Sequence, residues 1–455
     1  MVILKFGGSS LADIEEIRRV TSIIESQLGR NPVVVVSALG DITNVLEHLA
    51  DLSLEHSEKF VINELNDFFE PRLYRIISGV VSKNAEQQQC LSDVNRIMQE
   101  LKNVYRGLTV VKELTPRAMD TLLSYGEKIS QTVITHALRS MNIAGVEIPA
   151  QKCVITDANF GRADVLWDQT SRSVEEHVVP AIEQNQVPVL QGFVGGTSDG
   201  TVTTLGRGGS DYTAAVLGSI LGAEDIQIWT DVDGFLNADP GLVDEATTIE
   251  KLNIEEAKEL ANFGARVLHP RTVLPAIERD IPVYIRNTFA PEKQGTVLSG
   301  DKTGAGIHCL TAVRDLVRIE LSGTAQSREQ FADLINSAGW SQIYLTMQSP
   351  NAMTAIVDPG EPRLIDRFCE ELSDEIECRT ETEIGIIGIV GESLTTNSEE
   401  YRNLIGILEK FEYDFFPYSP NSNRWLLAVK DFNLSEIFST LFHEIFNANS
   451  GKTSE

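Results

Sequence analysis

The N-terminal segment contains a lysine and two glycines in an order that suits the binding of an anion. Lys5 lies near the end of a short apolar run, Val2–Phe6, and residues 7–10 (GGSS) follow directly. Glycines let backbone N–H groups approach a ligand closely, and the start of a helix attracts negative charge. The lysine adds a point charge that suits a phosphate group. Taken alone, the same pattern is equally typical of a tight turn between a strand and a helix.

A second glycine-rich loop, residues 206–211 (GRGGSD), precedes an apolar helical pattern. Ser210 or Asp211 is a suitable N-cap for that helix. The guanidinium of Arg207 suits a carboxylate, because it can bind both carboxylate oxygens at once. The carboxylate of Asp211 is suited to orient either a metal ion or a lysine. The loop therefore predicts a second anion site, although such a loop alone is only moderately specific.

Two further segments carry carboxylates. Residues 229–234 (WTDVDG) run from a predicted strand into a turn, and ligands of open α/β sheets bind beyond the carboxyl ends of strands. Asp-Gly turns are common, so a plain turn is the alternative. Residues 125–128 (YGEK) are predicted to open a helix, and a lone glutamate there, Glu127, is more often a surface residue.

Strands and helices are predicted to alternate through the first 300 residues. The β-branched run 33–36 (VVVV) is typical of a buried parallel strand, and residues 11–28 carry apolar side chains at helical spacing. Further strand-like runs lie at 187–190, 226–229 and 283–285, and helical patterns lie at 44–115, 211–221 and 254–261. This alternation predicts an open, mainly parallel sheet with helices on both faces.

The composition changes at residues 291–306 (PEKQGTVLSGDKTGAG), which we interpret as a turn-rich linker. Beyond it, the order strand, helix, strand, strand, helix, strand is predicted to occur twice. We therefore expect an α/β domain at 1–300, followed by two ferredoxin-like βαββαβ units at 301–381 and 382–455.

The composition argues against several classes of protein. The chain has 38 Lys and Arg against 66 Asp and Glu, a net charge of −28, which disfavours binding to nucleic acid or to an anionic membrane. Its five cysteines form no C-x-x-C pair and its seven histidines show no metal-binding spacing, so we predict neither disulfides nor a metal site. With no membrane-length apolar run and no signal-like N-terminus, we expect a cytoplasmic protein.

Together, the motifs resemble those of the aspartate kinases of the amino-acid-kinase superfamily. The matching segments occur in the family's order: KFGGSS (5–10), VSALGDITN (36–44), YGEKIS (125–130), LGRGGSDYTAA (205–215), WTDVDG (229–234) and GARVLHPRT (264–272). The C-terminal third is similar to the family's paired ACT regulatory domains in element order, and one ACT unit can be inserted in the other. The resemblance implies an amino-acid-kinase fold and phosphoryl transfer from MgATP to the β-carboxylate of L-aspartate. The product would be 4-phospho-L-aspartate, which leads to lysine, threonine and methionine.

The resemblance also implies roles for individual residues. The expected ATP contacts are Lys5, Gly7, Gly8, Ser9, Thr230, Asp231, Arg266 and Val267. The expected L-aspartate contacts are Ser37, Thr43, Glu127 for the ammonium group, Arg207 for the α-carboxylate, and Ser210. Lys5 and Asp211 are the expected catalytic residues. ATP and Mg²⁺ are the expected cofactors, and no metal ligands are assigned to the protein itself.

Three positions depart from the family pattern. Arg266 replaces a usual lysine, and Leu236 and Gly241 replace a usual tyrosine and arginine. Because a planar guanidinium does not freely replace a compact ammonium, we expect weaker ATP binding. The first ACT-like unit, at 322–357, lacks the usual Gly and Asn-Ile segment of the effector loop, so feedback by lysine or threonine is expected to be altered or absent.

Two other functions remain as alternatives. One is a related amino-acid or carboxylate kinase of a specialised pathway, and the other is an inactive amino-acid-binding regulator. The kinase part of bifunctional aspartokinase–homoserine dehydrogenases looks similar too, but 455 residues leave no room for the dehydrogenase, so we expect a monofunctional enzyme. ACT-like sheets pair across subunits in this family, so we expect a homodimer or tetramer.

Overall fold

Ten strands and eleven helices precede the C-terminal region in the computed structural model, which describes residues 1–264, 267–323, 328–349, 352–361, 363–373, 375–392, 394, 399–409, 411, 413–417 and 423–447. The strands are β1 (Val2–Phe6), β2 (Pro32–Val36), β3 (Gly145–Ile148), β4 (Val187–Gln191), β5 (Val194–Gly196), β6 (Val202–Thr204), β7 (Asp225–Thr230), β8 (Lys251–Asn253), β9 (Val283–Asn287) and β10 (Thr296–Ser299). The helices are α1 (Ile14–Ser26), α2 (Ile42–Glu55), α3 (Glu58–Val80), α4 (Asn84–Val111), α5 (Pro116–Ser140), α6 (Ala150–Cys153), α7 (Trp167–His177), α8 (Val179–Glu183), α9 (Gly209–Leu221), α10 (Ile254–Asn262) and α11 (Leu274–Ile277).

The chain divides into two compact units. The first unit comprises Met1–Phe235, Glu250–Ile254 and Val267–Asp301, and the second comprises Leu236–Ile249, Glu255–Arg266 and Lys302–Glu455. Two segments within the predicted 1–300 domain, 236–249 and 255–266, therefore group with the second unit.

An eight-stranded sheet forms the centre of the first unit, in the order β3-β4-β2-β1-β7-β9-β10-β8. Its strands pair in parallel except for the antiparallel pair β9–β10. Side chains alternate between the two faces of a strand. Leu4 and Phe6 pack in one hydrophobic cluster with residues of α1 and α5, whereas Ile3 approaches Gly218 of α9. These contacts confirm a mainly parallel sheet that helices cover on both faces.

The parallel register brings several loops to one edge of the sheet. Phe6, the last residue of β1, pairs with Val36 of β2 and with Trp229 of β7. The segments that follow these three strands therefore begin side by side. They include the phosphate-loop candidate at residues 7–10 and the carboxylate-bearing turn after Thr230.

The predicted linker at 291–306 is partly wrong, because it contains β10. Thr296–Ser299 pairs antiparallel with β9 and parallel with β8, and its residues alternate between buried and half-buried. Gly295 makes the hairpin between β9 and β10 with φ +72°, and a Cβ there would lie 1.9 Å from Ile285 O. Pro291 and Gly295 in the hairpin made the segment resemble a linker, so the sequence analysis did not recognise the four-residue strand.

A six-stranded antiparallel sheet forms the centre of the second unit, in the order β12-β13-β11-β14-β16-β15. The strands are β11 (Gly306–Gly323), β12 (Gln342–Gln348), β13 (Ala352–Asp358), β14 (Ile376–Glu392), β15 (Tyr413–Pro417) and β16 (Arg424–Lys430). The helices are α12 (Arg328–Ser337), α13 (Arg363–Glu370), α14 (Glu399–Leu408) and α15 (Asp431–Phe442). The order predicted for the first βαββαβ series is observed from β11 to β14. The second series runs β14, α14, β15, β16 and α15, and no strand follows α15 among the described residues.

The two long strands β11 and β14 join these series into one sheet. Residues 306–313 of β11 pair with residues 386–392 of β14, and residues 318–323 pair with residues 376–381. Register shifts near Leu316 separate the two halves. The predicted boundary at residue 381 therefore falls within β14. Among the described residues, no helix is long and apolar enough to cross a membrane.

Candidate functional site

A cavity of about 750 Å³ in the first unit lies at the carboxyl ends of β1, β2 and β4. One side of the cavity is formed by α5, and the loop that precedes α9 forms another. Eight residues that the sequence analysis singled out line this cavity: Lys5, Gly8, Ser37, Thr43, Glu127, Arg207, Ser210 and Asp211. The fold thus brings together side chains that are up to 206 positions apart in the chain, from Lys5 to Asp211.

Lys5 and Asp211 form an ion pair in this cavity. The Nζ of Lys5 lies 2.6 Å from the Oδ1 of Asp211, and both side chains are largely buried. Lys5 lies on β1, and Asp211 lies in the first turn of α9. The sequence left open whether Asp211 orients a metal or a lysine, and in this structure it orients the lysine.

The loop after β1 leaves backbone donors available. Gly7 N–H donates to Trp229 O at 3.0 Å, and the N–H groups of Ser10 and Leu11 bond back within the loop. Within the described part of the chain, the N–H groups of Gly8 and Ser9 have no acceptor. A Cβ at position 8 would lie 3.0 Å from a backbone oxygen of the loop after β2. A side chain at position 8 would therefore crowd this backbone, and the loop suits an anion.

The loop before α9 presents Arg207 to the cavity. Gly206 and Gly208 have φ values of +75° and +73°, which glycine adopts at little cost. The helix begins at Gly209, so Ser210 and Asp211 lie in its first turn instead of capping it as predicted. Arg207 is exposed, and its guanidinium makes no ion pair or hydrogen bond with the residues that the structure describes.

Glu127 is buried in the middle of α5, not near the start of a helix as predicted. The helix begins eleven residues earlier at Pro116, where the side chain of Thr115 accepts from Ala118 N–H at 3.2 Å. Glu127 is 4% exposed and its Oε1 accepts from Ala38 N–H at 3.2 Å. Its Oε2 is buried and has no partner in the described region. Burial raises the pKa of Glu127 to about 8. A cationic ligand would give the carboxylate the positively charged partner that it does not have in the described structure.

Asp120 also lines the cavity, and the sequence analysis missed it. This residue is 1% exposed, and its Oδ2 accepts from the N–H groups of Gly161 and Thr204 at 2.9 and 3.0 Å. Its Oδ1 accepts from the hydroxyl of Thr204 at 2.6 Å. Asp120 thus fixes the 157–164 loop and β6 against α5. Its position seven residues before Glu127, on the same helix face, was an available signal.

Of the predicted ATP contacts, Lys5 and Gly8 line the cavity, whereas the others that the structure describes are not among its lining residues. Thr230 and Asp231 follow β7, where the Oγ1 of Thr230 donates to the Oδ1 of Asp231 at 3.0 Å. Gly7 and Ser9 flank the cavity residue Gly8 in the loop after β1. Val267 is half-buried in the first unit and is not among the lining residues. Arg266 lies outside the described residues.

Comparisons with known proteins identify the family of this chain. The model of the amino acid kinase family matches residues 1–287. Lysine-sensitive aspartokinase 3 of Escherichia coli (strain K12) is 30% identical over 469 residues, which cover 98% of this chain and 99% of that protein. The chloroplastic aspartokinase 1 of Arabidopsis thaliana is 34% identical over 328 residues, which cover 71% of this chain and 56% of that protein.

Two solved structures of Escherichia coli aspartokinase III have the same fold. The T-state complex with lysine and aspartate has a TM-score of 0.84 at 26% identity, and it covers 98% of this chain and 99% of that chain. The R-state complex with aspartate and ADP has a TM-score of 0.76 at 27% identity, with 98% and 100% covered. The family match spans more than half of the chain, and the Escherichia coli relative is 30% identical over 98% of the chain. This chain therefore belongs to the amino acid kinase family and, within it, to the aspartokinases.

Proposed function

We propose that the protein is an aspartate kinase, which transfers the γ-phosphate of ATP to the β-carboxylate of L-aspartate. The products are ADP and 4-phospho-L-aspartate, and the reaction is the first step of lysine, threonine and methionine synthesis. One observation carries the proposal. The same cavity contains the ammonium of Lys5, the available guanidinium of Arg207 and the buried carboxylate of Glu127. The Escherichia coli structures, which contain aspartate and in one case ADP, support it.

The charges in the cavity suit an acidic amino acid with its ammonium group. Arg207 is proposed to bind the α-carboxylate through two parallel hydrogen bonds. The unpartnered Oε2 of Glu127 is proposed to accept from the α-ammonium. The hydroxyl groups of Ser37, Thr43 and Ser210 line the same cavity and can orient the substrate. A clamp with one cation and one anion fixes the acceptor in space, which reduces the entropic cost of reaction.

The phosphate groups are proposed to bind where backbone donors and Lys5 meet. The N–H groups of Gly8 and Ser9 have no acceptor among the described residues, and Gly7 precedes them in the loop. Asp211 holds the Lys5 ammonium in place at 2.6 Å. The remaining proposed ATP contacts are Thr230, Asp231, Val267 and Arg266, the last of which lies outside the described residues. The weaker ATP binding expected from Arg266, Leu236 and Gly241 stays a prediction.

The reaction needs alignment and charge neutralisation more than covalent help from the protein. An oxygen of the substrate β-carboxylate attacks the γ-phosphorus and forms a new O–P bond. The bond between the γ-phosphorus and the β,γ-bridging oxygen breaks, and ADP leaves with that electron pair. No general base is required, because the carboxylate is already ionised at neutral pH. Lys5 and the N–H groups of the first loop stabilise the developing negative charge.

The residues fit a Mg²⁺ ion that arrives with ATP. No group of three or more His, Cys, Asp or Glu side chains could hold a metal among the residues that the structure describes. Mg²⁺ commonly keeps several waters and binds through one or two carboxylates plus substrate phosphates. Asp211 is the carboxylate beside the proposed phosphate site, and one of its oxygens is paired with the ammonium of Lys5. When bound, the ion would add positive charge to the phosphates.

Regulation and assembly are further parts of the proposal. We propose that the second unit consists of two ACT domains that share one sheet through β11 and β14, and that L-lysine acts through them. The support is the likeness to a lysine-sensitive aspartokinase and to its lysine complex. We also propose a homodimer or tetramer. At one edge of the six-stranded sheet, β12 (Gln342–Gln348) pairs only with β13 among the described residues, and such an edge favours pairing between subunits.

A panel of acceptors tests the proposed substrate. ADP release would be measured with L-aspartate, D-aspartate, L-glutamate, N-acetyl-L-aspartate and succinate. We expect L-aspartate to exceed N-acetyl-L-aspartate in kcat/KM by at least about a hundredfold, because the acetylated analogue leaves buried Glu127 without its cation. Faster turnover of another acceptor would favour a related carboxylate kinase. Binding of ADP without turnover of any acceptor would favour an inactive regulator.

A further inference from the structure

A buried pair of hydroxyl groups connects two loops of the first unit. The Oγ of Ser10 and the Oγ1 of Thr288 lie 2.7 Å apart, and both residues are fully buried. Ser10 ends the loop after β1, and Thr288 follows β9 directly. Neither residue lines the cavity or is among the proposed contacts of ATP and L-aspartate. Buried hydroxyl groups that do not reach water must find their hydrogen-bond partners within the protein, so the positions of these two side chains are closely defined.

The hydrogen bonds of this pair have one arrangement that uses both protons. The Oγ of Ser10 also lies 3.3 Å from Trp229 O, which accepts from Gly7 N–H as well. Each hydroxyl has a single proton to donate. Both protons are used when Thr288 donates to Ser10 and Ser10 donates to Trp229 O. This chain of bonds attaches the loop after β1 to the end of β7.

The segment that contains Thr288 is also fixed to the turn after β7. The N–H of Thr288 donates to Thr230 O at 2.9 Å. The Nδ2 of Asn287 and the Nζ of Lys293 each lie 2.6 Å from an oxygen of Asp233. The side chain of Thr288 therefore touches one loop while its backbone holds the other.

We propose that Thr288 is a positioning residue for phosphoryl transfer, which acts through Ser10 on the loop that holds the phosphates. The inference rests on the proposed function, which assigns the phosphates to residues 7–9 and other ATP contacts to Thr230 and Asp231. Thr288 sets the spacing of these two groups of contacts and hence the alignment of the γ-phosphate with its acceptor. Small errors in such alignment have large effects on rate.

The test compares Thr288→Val, which removes the hydroxyl and keeps the side-chain shape, with Thr288→Ser, which retains a hydroxyl. We would measure ADP binding by calorimetry and the steady-state rates with ATP and L-aspartate varied in turn. Thr288→Val should bind ADP about tenfold more weakly and lose kcat, with KM for aspartate unchanged, whereas Thr288→Ser should stay within about twofold of the wild type. Thr21→Val is the matched control, because Thr21 is a buried threonine of α1 whose hydroxyl donates to Arg18 O. It should bind ADP like the wild type.

A double-substitution cycle separates positioning from general loss of packing. If the two hydroxyls act as one chain, Thr288→Val should add little to the effect of Ser10→Ala. The inference would be overturned if the losses in the double variant were additive, or if Thr288→Val kept the ADP affinity and kcat of the wild type. It would also be overturned if Thr288→Ser were as impaired as Thr288→Val. Melting temperatures identify a variant that fails to fold. If Thr288→Val fails to fold, the comparison of Ser10→Ala with Thr288→Ser tests the inference in its place.

The ADP measurement distinguishes failure of the inference from failure of the proposed function. A wild-type protein that binds ADP but does not phosphorylate aspartate would refute the proposed function, while the Thr288 variants could still confirm or refute the role in nucleotide positioning. A wild-type protein that binds no ADP would overturn both.

Discussion

Glu127 is a buried carboxyl group with only one of its two oxygens in a hydrogen bond among the described residues. It lies within a long helix, one of its oxygens accepts a backbone N–H, and the other has no partner in the described structure. A buried carboxylate without a cation is costly to ionise. The sequence motif singled out this residue as a site candidate, and Glu127 lines the cavity, but the pattern placed it near the start of a helix. That placement was wrong because Thr115 and Pro116 provide a better helix start further upstream.

Aspartate binding is predicted to release a proton from Glu127. Burial raises its pKa to about 8, so near pH 7 the ligand-free side chain is mostly protonated. A bound ammonium group stabilises the ionised form, so the proton leaves and the apparent affinity for L-aspartate increases as the pH rises from about 6 to 8. Calorimetry in buffers of different ionisation enthalpy would detect the proton, and Glu127→Gln should release none. Identical binding heats in all buffers near pH 7 would contradict the assignment.

At the scale of elements, α5 and the loops at the strand ends build the cavity together. The sequence predicted most of these elements, because the glycine loops follow apolar β-branched runs and precede helical patterns. It did not reveal β10, which turn-forming residues surround, or Asp120, whose value lies in contacts with distant segments. Local patterns report propensity and periodicity, whereas a buried carboxylate that collects three donors depends on tertiary packing.

Asp120→Asn is predicted to weaken both stability and substrate binding. The amide has one acceptor oxygen in place of two, so it cannot accept from the N–H of Gly161 and both donor groups of Thr204 as the carboxylate does. We expect a loss of about 1–3 kcal/mol in the free energy of unfolding and a raised KM for L-aspartate. Urea denaturation and steady-state kinetics measure the two effects. The exposed Asp168→Asn is the control, which should change stability by less than about 0.5 kcal/mol. An Asp120→Asn variant as stable as the control would contradict this role.

At the scale of the whole molecule, the second unit has an organisation that sequence analysis predicted only in part. The order of its strands and helices follows from local patterns. The pairing of residues 306–313 with residues 386–392 does not, because strands that far apart in the chain choose partners through the packing of the complete sheet. The strand β15 lies at the sheet edge beside β16. The element order of the first series was therefore predictable, whereas the pairing of the N-terminal half of β11 with β14 was not.

L-lysine is predicted to inhibit the enzyme through the second unit. A ligand shifts a protein between states only as far as it binds one state more tightly, and allosteric coupling commonly changes affinity by about 5- to 150-fold. We expect initial rates with L-aspartate to fall in the presence of L-lysine, with L-threonine as the comparison. Light scattering with and without lysine would report the assembly. A monomer at micromolar concentration would refute the proposed oligomer, and rates indifferent to both amino acids would indicate that feedback has been lost.

The most direct test of the central claim is the trapping of the acyl phosphate. Purified protein would be incubated with MgATP, L-aspartate and hydroxylamine, and the aspartyl hydroxamate would be quantified for the wild type and for Lys5→Ala and Lys59→Ala variants. Lys5 lies buried beside Asp211 in the cavity, whereas Lys59 is an exposed residue of α3. The account predicts hydroxamate that depends on both substrates, a loss of kcat of about a hundredfold in Lys5→Ala and wild-type rates in Lys59→Ala. Absence of hydroxamate from well-folded wild-type protein, or a Lys5→Ala variant with the wild-type kcat, would contradict it.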